Sequence, residues 1–326
     1  MASPLTTAST PRGGGRSTCS TTPWPTGRRS RTCQERPILA QTLTLDGTPI
    51  DYRDRGDGPP LLLLPGGAGH AGVLDGLAAH LADHYRVVAM SSRLVSAPPG
   101  TERGDLNPKV YAEDTLTLIE ALFDEPPTVF GFSAGAITTL ELLARHPEHL
   151  RRAVVHEPPA LGLLPDAGRH RDALEAVRTA ARTQGMAEAA RLMTEAMTAL
   201  EPASHFPDLR HPGDWLGGYA ETVPEPPTPE LLELLSLLGE LQPLFLEHIL
   251  IPFATHEIDL AAIGAAGGRL APAAGIGSRG YLPYRAAAAL ATGLKLPLNE
   301  FPGGHLGPIE RPAQFARGLS AVLEGR

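Results

Sequence analysis

Short apolar runs, each followed by a segment with helical spacing, constrain this chain more than any other feature. Leu61–Leu64 is four leucines in a row, and Arg86–Met90, Thr128–Phe132 and Arg152–Val155 are similarly brief and apolar. A strand reads as an unbroken apolar run when helices cover both faces of its sheet. Between these runs, Leu74–Asp83, Tyr111–Phe123 and Ala136–Arg145 carry helical periodicity, with Leu116, Ile119 and Leu122 on one stripe. Strands that alternate with helices build parallel βαβ units. Upstream, Thr42 to Leu45 alternate, Asp46-Gly47 marks a turn, and Ile50 and Tyr52 resume the alternation, which predicts a β-hairpin. The rhythm stops near residue 161. Asp172–Thr183, Met186–Leu200 and Glu230–Leu241 all read as helices, with the Pro-rich joint Pro224–Pro229 between the last two. It resumes with a helix over Ile258–Ala266, a strand over Leu270–Ala274, a helix over Tyr284–Gly293, a strand over Pro297–Phe301 and a helix over Pro312–Leu323. The expected architecture is α/β: a mostly parallel sheet of about eight strands flanked by helices. Its core spans 38–160 and 255–326, interrupted by an all-helical insertion over 161–254.

At 326 residues the chain is long enough for a sizeable core. The net charge of −8 argues against a nucleic-acid partner, and no apolar run approaches the ~18 residues of a spanning helix. The charge is uneven: residues 1–36 hold six Arg and one acid, so the remainder carries the negative excess. Residues 1–37 are basic, rich in Ser and Thr and without apolar periodicity, and read as a disordered tail. No apolar stretch follows Arg28-Arg29, as a secretory signal would require. Both cysteines, Cys19 and Cys33, fall in this tail, so the folded part has no disulfide, thiolate metal site or Cys nucleophile. A cytoplasmic setting is expected.

The sharpest motif is Gly131-Phe132-Ser133-Ala134-Gly135, a G-x-S-x-G between a predicted strand and a predicted helix. That context exposes the serine hydroxyl on a strained turn and directs the next backbone N–H to the same place. A serine needs a base. His305, in the Gly-rich stretch Phe301-Pro302-Gly303-Gly304-His305 after the last predicted strand, is the candidate. His146, His149 and His211 sit beside charged or Pro residues and read as surface groups. An oxyanion needs preorganised donors, which the backbone amides of Ala134 and Gly67 can supply. His156-Glu157 and His256-Glu257 lack H-E-x-x-H spacing, and Gly66-Gly67-Ala68-Gly69 fits neither dinucleotide nor phosphate loops. No metal or cofactor is expected.

Taken together, the serine turn, the Gly-rich loop after the Leu61–Leu64 strand and the late histidine resemble the α/β-hydrolase superfamily, in that family's order along the chain. The resemblance covers about 40–160 and 255–326, with the helical insertion where the family carries its cap. Two departures stand out. Pro65 occupies the place of the family's frequent His, and Ser91-Ser92-Arg93-Leu94-Val95-Ser96 replaces the usual acidic, Gly-rich turn. The family usually places a triad acid about three residues after a Gly, past the strand before the histidine strand. Here that stretch is Gly275-Ile276-Gly277-Ser278, without a carboxylate. Glu157, after the Val154-Val155 strand, is the first replacement; Asp259 or Glu257, or a Ser–His dyad with no acid, are the others.

These residues predict a serine hydrolase cleaving an ester or thioester through an acyl-enzyme. Ser133 is the nucleophile, His305 the base and Glu157 the acid, with Gly67 and Ala134 as the oxyanion hole. The leucine-rich stretch Leu231–Ile251 predicts a small to medium apolar substrate, with Trp215 and Tyr219 as candidate pocket walls. The competing expectation is a non-hydrolytic relative, either a lyase using His305 as base or a ligand-binding module. Beyond a small-molecule substrate no partner is expected, neither nucleic acid nor membrane, and the oligomeric state is open.

Overall fold

The computed structural model describes residues 39–45, 47–197, 209–210 and 228–325. Among these described residues nine strands form one sheet: β1 (Leu39–Leu45), β2 (Thr48–Arg55), β3 (Pro60–Leu64), β4 (Arg86–Met90), β5 (Thr128–Phe132), β6 (Arg152–His156), β7 (Leu209–Arg210), β8 (Leu270–Gly275) and β9 (Leu298–Phe301). Their order is β1-β2-β4-β3-β5-β6-β8-β9-β7. The β1–β2 and β2–β4 pairs are antiparallel and all the others parallel. The ninth strand is the two-residue β7, too short to leave a period in the sequence.

Alternation along the central strands decides which face each residue serves. Leu62, Leu64, Val88, Met90, Val129 and Val155 join one apolar cluster. Leu61, Leu63, Val87, Ala89, Phe130 and Val154 join the other. The first face is covered by α3 (Pro108–Leu122) and α4 (Ala134–Arg145), which contribute Leu118, Ile119, Ile137 and Leu140. The second is covered by α1 (Asp75–Leu81) and α12 (Pro312–Leu323), through Leu77, Leu81, Phe315 and Leu319. Leu61 to Leu64 are wholly buried, each contributing about 2 kcal/mol by leaving water.

Among the described residues, the helices α5 (Ala167–Thr183), α6 (Met186–Met197), α7 (Pro229–His248) and α8 (Leu250–Ala254) lie between β6 and β8. The remaining helices are α2 (Arg93–Ser96), α9 (Leu260–Ala265), α10 (Leu282–Leu294) and α11 (Gly307–Glu310). Asp166, just before α5, clamps Arg285 of α10 through two hydrogen bonds of 3.0 and 2.9 Å. Helix α5 starts at Ala167, earlier than the expected Asp172. Helix α7 also outruns its expected end at Leu241, passing through Pro243. The proline removes only the bond to Gly239, and both residues are exposed. The expected tail over 1–37, the end of the Met186–Leu200 helix, and Trp215 and Tyr219 lie outside the described residues.

Candidate active site

The serine turn is built by close approach. A Cβ at Gly131 would stand 2.2 Å from Thr139 Oγ1 and 2.4 Å from Gly135 O, and one at Gly135 would stand 2.1 Å from Leu64 O. Only glycines let β5, α4 and β3 meet this tightly. The turn leaves Ser133 at φ 54°, ψ −115°, as the residue preceding α4, and its N–H donates to His156 O at 2.9 Å.

Ser133 Oγ lies 3.1 Å from His305 Nε2, and His305 Nδ1 lies 2.7 Å from Glu157 Oε2. The three side chains come from three separate strand ends: β5, β6 and the loop after β9. The histidine loop is held against the loop after β8 by a hydrogen bond from Gly277 N–H to Gly303 O (2.8 Å). The Phe132 ring packs on the His305 ring at 5.2 Å between centroids.

Glu157 is wholly buried and has φ 50°. Among the described residues only Ser133, Glu157 and Lys295 are non-glycines with positive φ. Lys295 is the left-handed cap of α10, an ordinary helix end. The other two are neighbours at one site, and strained backbone of this kind persists where surrounding structure imposes it. Glu157 N–H donates to Ala273 O (3.0 Å). Its Oε1 accepts from Gly275 N–H (2.8 Å) and from the Ser278 hydroxyl. Burial alone would raise its pKa. The hydrogen bonds from His305 and Ser278 and the neighbouring His156 and His305 rings outweigh burial and hold the carboxyl below its ordinary value.

Asp259 instead caps α9, accepting from Ala262 N–H (2.9 Å), and both it and Glu257 are exposed. The carboxylate hydrogen-bonded to His305 is therefore Glu157. Sequence reasoning missed Ser278 and the Gly275 amide, which orient Glu157. Their signal was a polar residue three positions after Gly275, where the family usually has its acid.

Ala134, the first residue of α4, is buried, and Gly67 follows Gly66, where a Cβ would stand 2.7 Å from Ser133 Cβ. Neither the Gly67 nor the Ala134 amide donates a hydrogen bond among the described residues. His156 is wholly buried among Phe132, Phe301 and Phe315, with ring centroids at 6.0, 6.2 and 5.1 Å. Its ring nitrogens make no hydrogen bond of ordinary geometry. His256 pairs with Glu141 at 2.8 Å. No group of three or more His, Cys, Asp or Glu able to hold a metal ion occurs among the described residues. No described helix is long and apolar enough to cross a membrane.

The family model for the α/β hydrolase fold matches residues 59–188, from β3 through α5. The uncharacterized hydrolase YraK of Bacillus subtilis is 29% identical over 294 residues, covering 87% of this chain and 95% of its own. The zearalenone hydrolase of Cladophialophora bantiana is 29% identical over 196 residues, 57% of this chain and 71% of its own. Among solved structures, a thermophilic esterase from Thermogutta terrifontis superposes with a TM-score of 0.64 at 16% identity, over 88% of this chain and 98% of that one. Family match, named relatives and sheet order agree on the fold, and the chain is a hydrolase of the α/β fold.

Proposed function

We propose that the protein is a serine hydrolase that cleaves a carboxylic ester or thioester of a small to medium apolar substrate through an acyl-enzyme. The observation that carries this reading is the unbroken chain from Ser133 Oγ through both ring nitrogens of His305 to the buried Glu157. The Glu157 carboxylate accepts a hydrogen bond from Nδ1–H of His305, which keeps the proton on Nδ1 and leaves Nε2 with its lone pair toward Ser133. The Ser133 hydroxyl gives its proton to Nε2 as Oγ bonds to the substrate carbonyl carbon. The resulting oxyanion is held by the Gly67 and Ala134 amides, which have no acceptor of their own among the described residues. The His305 imidazolium, stabilised by Glu157, then passes the proton to the departing alcohol or thiol. Water repeats the sequence on the acyl-enzyme: His305 takes its proton, hydroxide oxygen bonds to the carbonyl carbon, and Ser133 leaves with the proton returned.

Helices α5–α8 serve as the cap. Leu231, Leu234, Leu237 and Leu238 of α7 pack against the cluster that contains Phe132 and Ala71, as does Leu306 beside His305. The leucines of α7, and Leu306 next to the base, thus extend the apolar cluster that includes Phe132, the residue before the nucleophile, which supports an apolar acyl or alcohol group. The relatives named as zearalenone hydrolase and the esterase neighbour accord with an ester substrate.

The test is fluorophosphonate labelling with turnover of p-nitrophenyl butyrate. The wild type is expected to label and turn over, and Ser133→Ala to lose both while keeping its fold. Labelling that survives in Ser133→Ala points to another nucleophile. A wild type that binds apolar ligands but never labels is a binding module or a non-hydrolytic enzyme.

A further inference from the structure

The loop after β4 departs from the family's usual pattern, and the structure puts its serines against the loop that carries Gly67. The Ser92 hydroxyl donates to Ala68 O at 2.7 Å, and Ser92 N–H donates to Gly69 O at 2.7 Å. Ala71 N–H donates to Ser91 Oγ at 3.0 Å. Ser92 is wholly buried and Ser91 nearly so. The same Ser92 hydroxyl oxygen also caps α2, accepting from Val95 N–H at 3.4 Å. The two loops touch: a Cβ on Gly69 would stand 2.8 Å from Ser92 Cβ.

Charge explains why this turn is Ser-Ser. The loop 66–71 turns two carbonyl oxygens, those of Ala68 and Gly69, toward the end of β4. Buried carbonyls require donors. The backbone N–H of any residue but proline there can serve Gly69 O, but serine adds an O–H for Ala68 O, where a carboxylate would set lone pairs against lone pairs. Gly67 itself has φ 58° and open space where a side chain would be, with no atom within 4 Å of that position. The peptide plane that carries its amide is held through Gly66 O, which accepts from Gly69 N–H at 3.0 Å, and Ala68 and Gly69 are the residues that Ser92 holds.

We propose that Ser92, supported by Ser91, is the positioning residue for the Gly67 amide, keeping that N–H aimed at the developing oxyanion. The inference rests on the reading of Gly67 as an oxyanion donor. Loss of a whole donor costs about 10²–10³ in turnover, so loosening one donor should cost about 10- to 100-fold.

The experiment compares the full chain with Ser92→Ala and Ser96→Ala. Ser96 lies four residues on, but its hydroxyl accepts from Asp51 N–H on β2 (2.9 Å). Turnover of p-nitrophenyl butyrate is measured beside inhibition by an alkyl trifluoromethyl ketone, to which Ser133 Oγ adds, giving its proton to His305 and leaving an oxyanion in the same hole. Ser92→Ala is expected to lower kcat about 10- to 100-fold with KM within about twofold. The inhibition constant should rise by the factor by which kcat/KM falls. Ser96→Ala should match the wild type in both. A fall in kcat with unchanged inhibition, an effect on KM alone, or equal losses in the two variants overturns the positioning role. If Ser92→Ala does not fold, Ser91→Ala, which deletes only the acceptor of Ala71 N–H, takes its place, and the same outcomes support or overturn the role. An active wild type with an unaffected Ser92→Ala overturns this inference alone. A wild type that neither labels nor turns over overturns the reading of the site with it.

Discussion

Replacing Glu157 with Gln keeps the side chain's size and removes its charge, and the surrounding hydrogen bonds decide how the amide must turn. Oε1 of Glu157 faces two donors, Gly275 N–H at 2.8 Å and the Ser278 hydroxyl, while Oε2 faces Nδ1 of His305 at 2.7 Å. A glutamine satisfies both donors only by placing its carbonyl oxygen where Oε1 was. Its NH2 then points at Nδ1 of His305 and donates to it. Nδ1 becomes an acceptor, so the ring proton moves to Nε2, the nitrogen 3.1 Å from Ser133 Oγ. A protonated Nε2 cannot take the serine's proton. In a triad this wrong-tautomer defect leaves the geometry intact and costs about 10⁴ in turnover, equivalent to about 5.4 kcal/mol of transition-state stabilisation. The reverse orientation sets the amide NH2 against Gly275 N–H, a donor that cannot turn away, although the Ser278 hydroxyl can turn to Gly275 O at 2.9 Å. Glu157→Gln is therefore expected to lose about 10⁴ in kcat on p-nitrophenyl butyrate with KM little changed. Circular dichroism and thermal unfolding should show a folded protein. A folded Glu157→Gln variant within about tenfold of wild type would show that Glu157 does not set the tautomer.

Two further predictions concern stability. Burial pushes the His156 pKa down from 6.5 to about 4; the neighbouring Glu157 carboxylate, and after it the backbone of Gly304 and His305, oppose the shift without cancelling it. As pH falls below 6.5 the unfolded chain takes up this proton first, so stability is lost between pH 6.5 and 4, by about 2 kcal/mol at pH 5. Urea unfolding at pH 7.5 and 5.0 should show a pH-dependent loss about 2 kcal/mol smaller in His156→Leu than in the wild type; equal losses would mean the ring is not buried neutral. Gly131→Ala forces β5 and α4 apart, because its Cβ would lie 2.2 Å from Thr139 Oγ1 and 2.4 Å from Gly135 O. It should cost more than about 3 kcal/mol in urea unfolding, and a cost below about 1 kcal/mol would contradict the close approach.

The layered architecture was legible because burial on both faces leaves a local mark. A strand covered by helices on both sides must be apolar at every position, as Leu61–Leu64 is, and that pattern does not depend on which strand lies beside it. Ser133 was legible for the same reason: the G-x-S-x-G turn is five adjacent residues, and its two glycines record the contacts of β5, α4 and β3. His305 could be named from its place after the last strand. The position of the carboxylate could not be decided from sequence. Glu157 and His305 are 148 positions apart, and Asp259 and Glu257 were equal in kind until one was seen capping α9 and both were seen exposed. The same holds for Ser278 on Glu157 and for Ser92 on the loop of Gly67. Each of these contacts joins the ends of separate strands, and a hydrogen bond of ordinary length, once its partners are far apart in the chain, imposes no period and no spacing on the residues between them. Only the sheet order, which sets β5, β6 and β8 side by side and β9 next to β8, brings their carboxyl ends within reach.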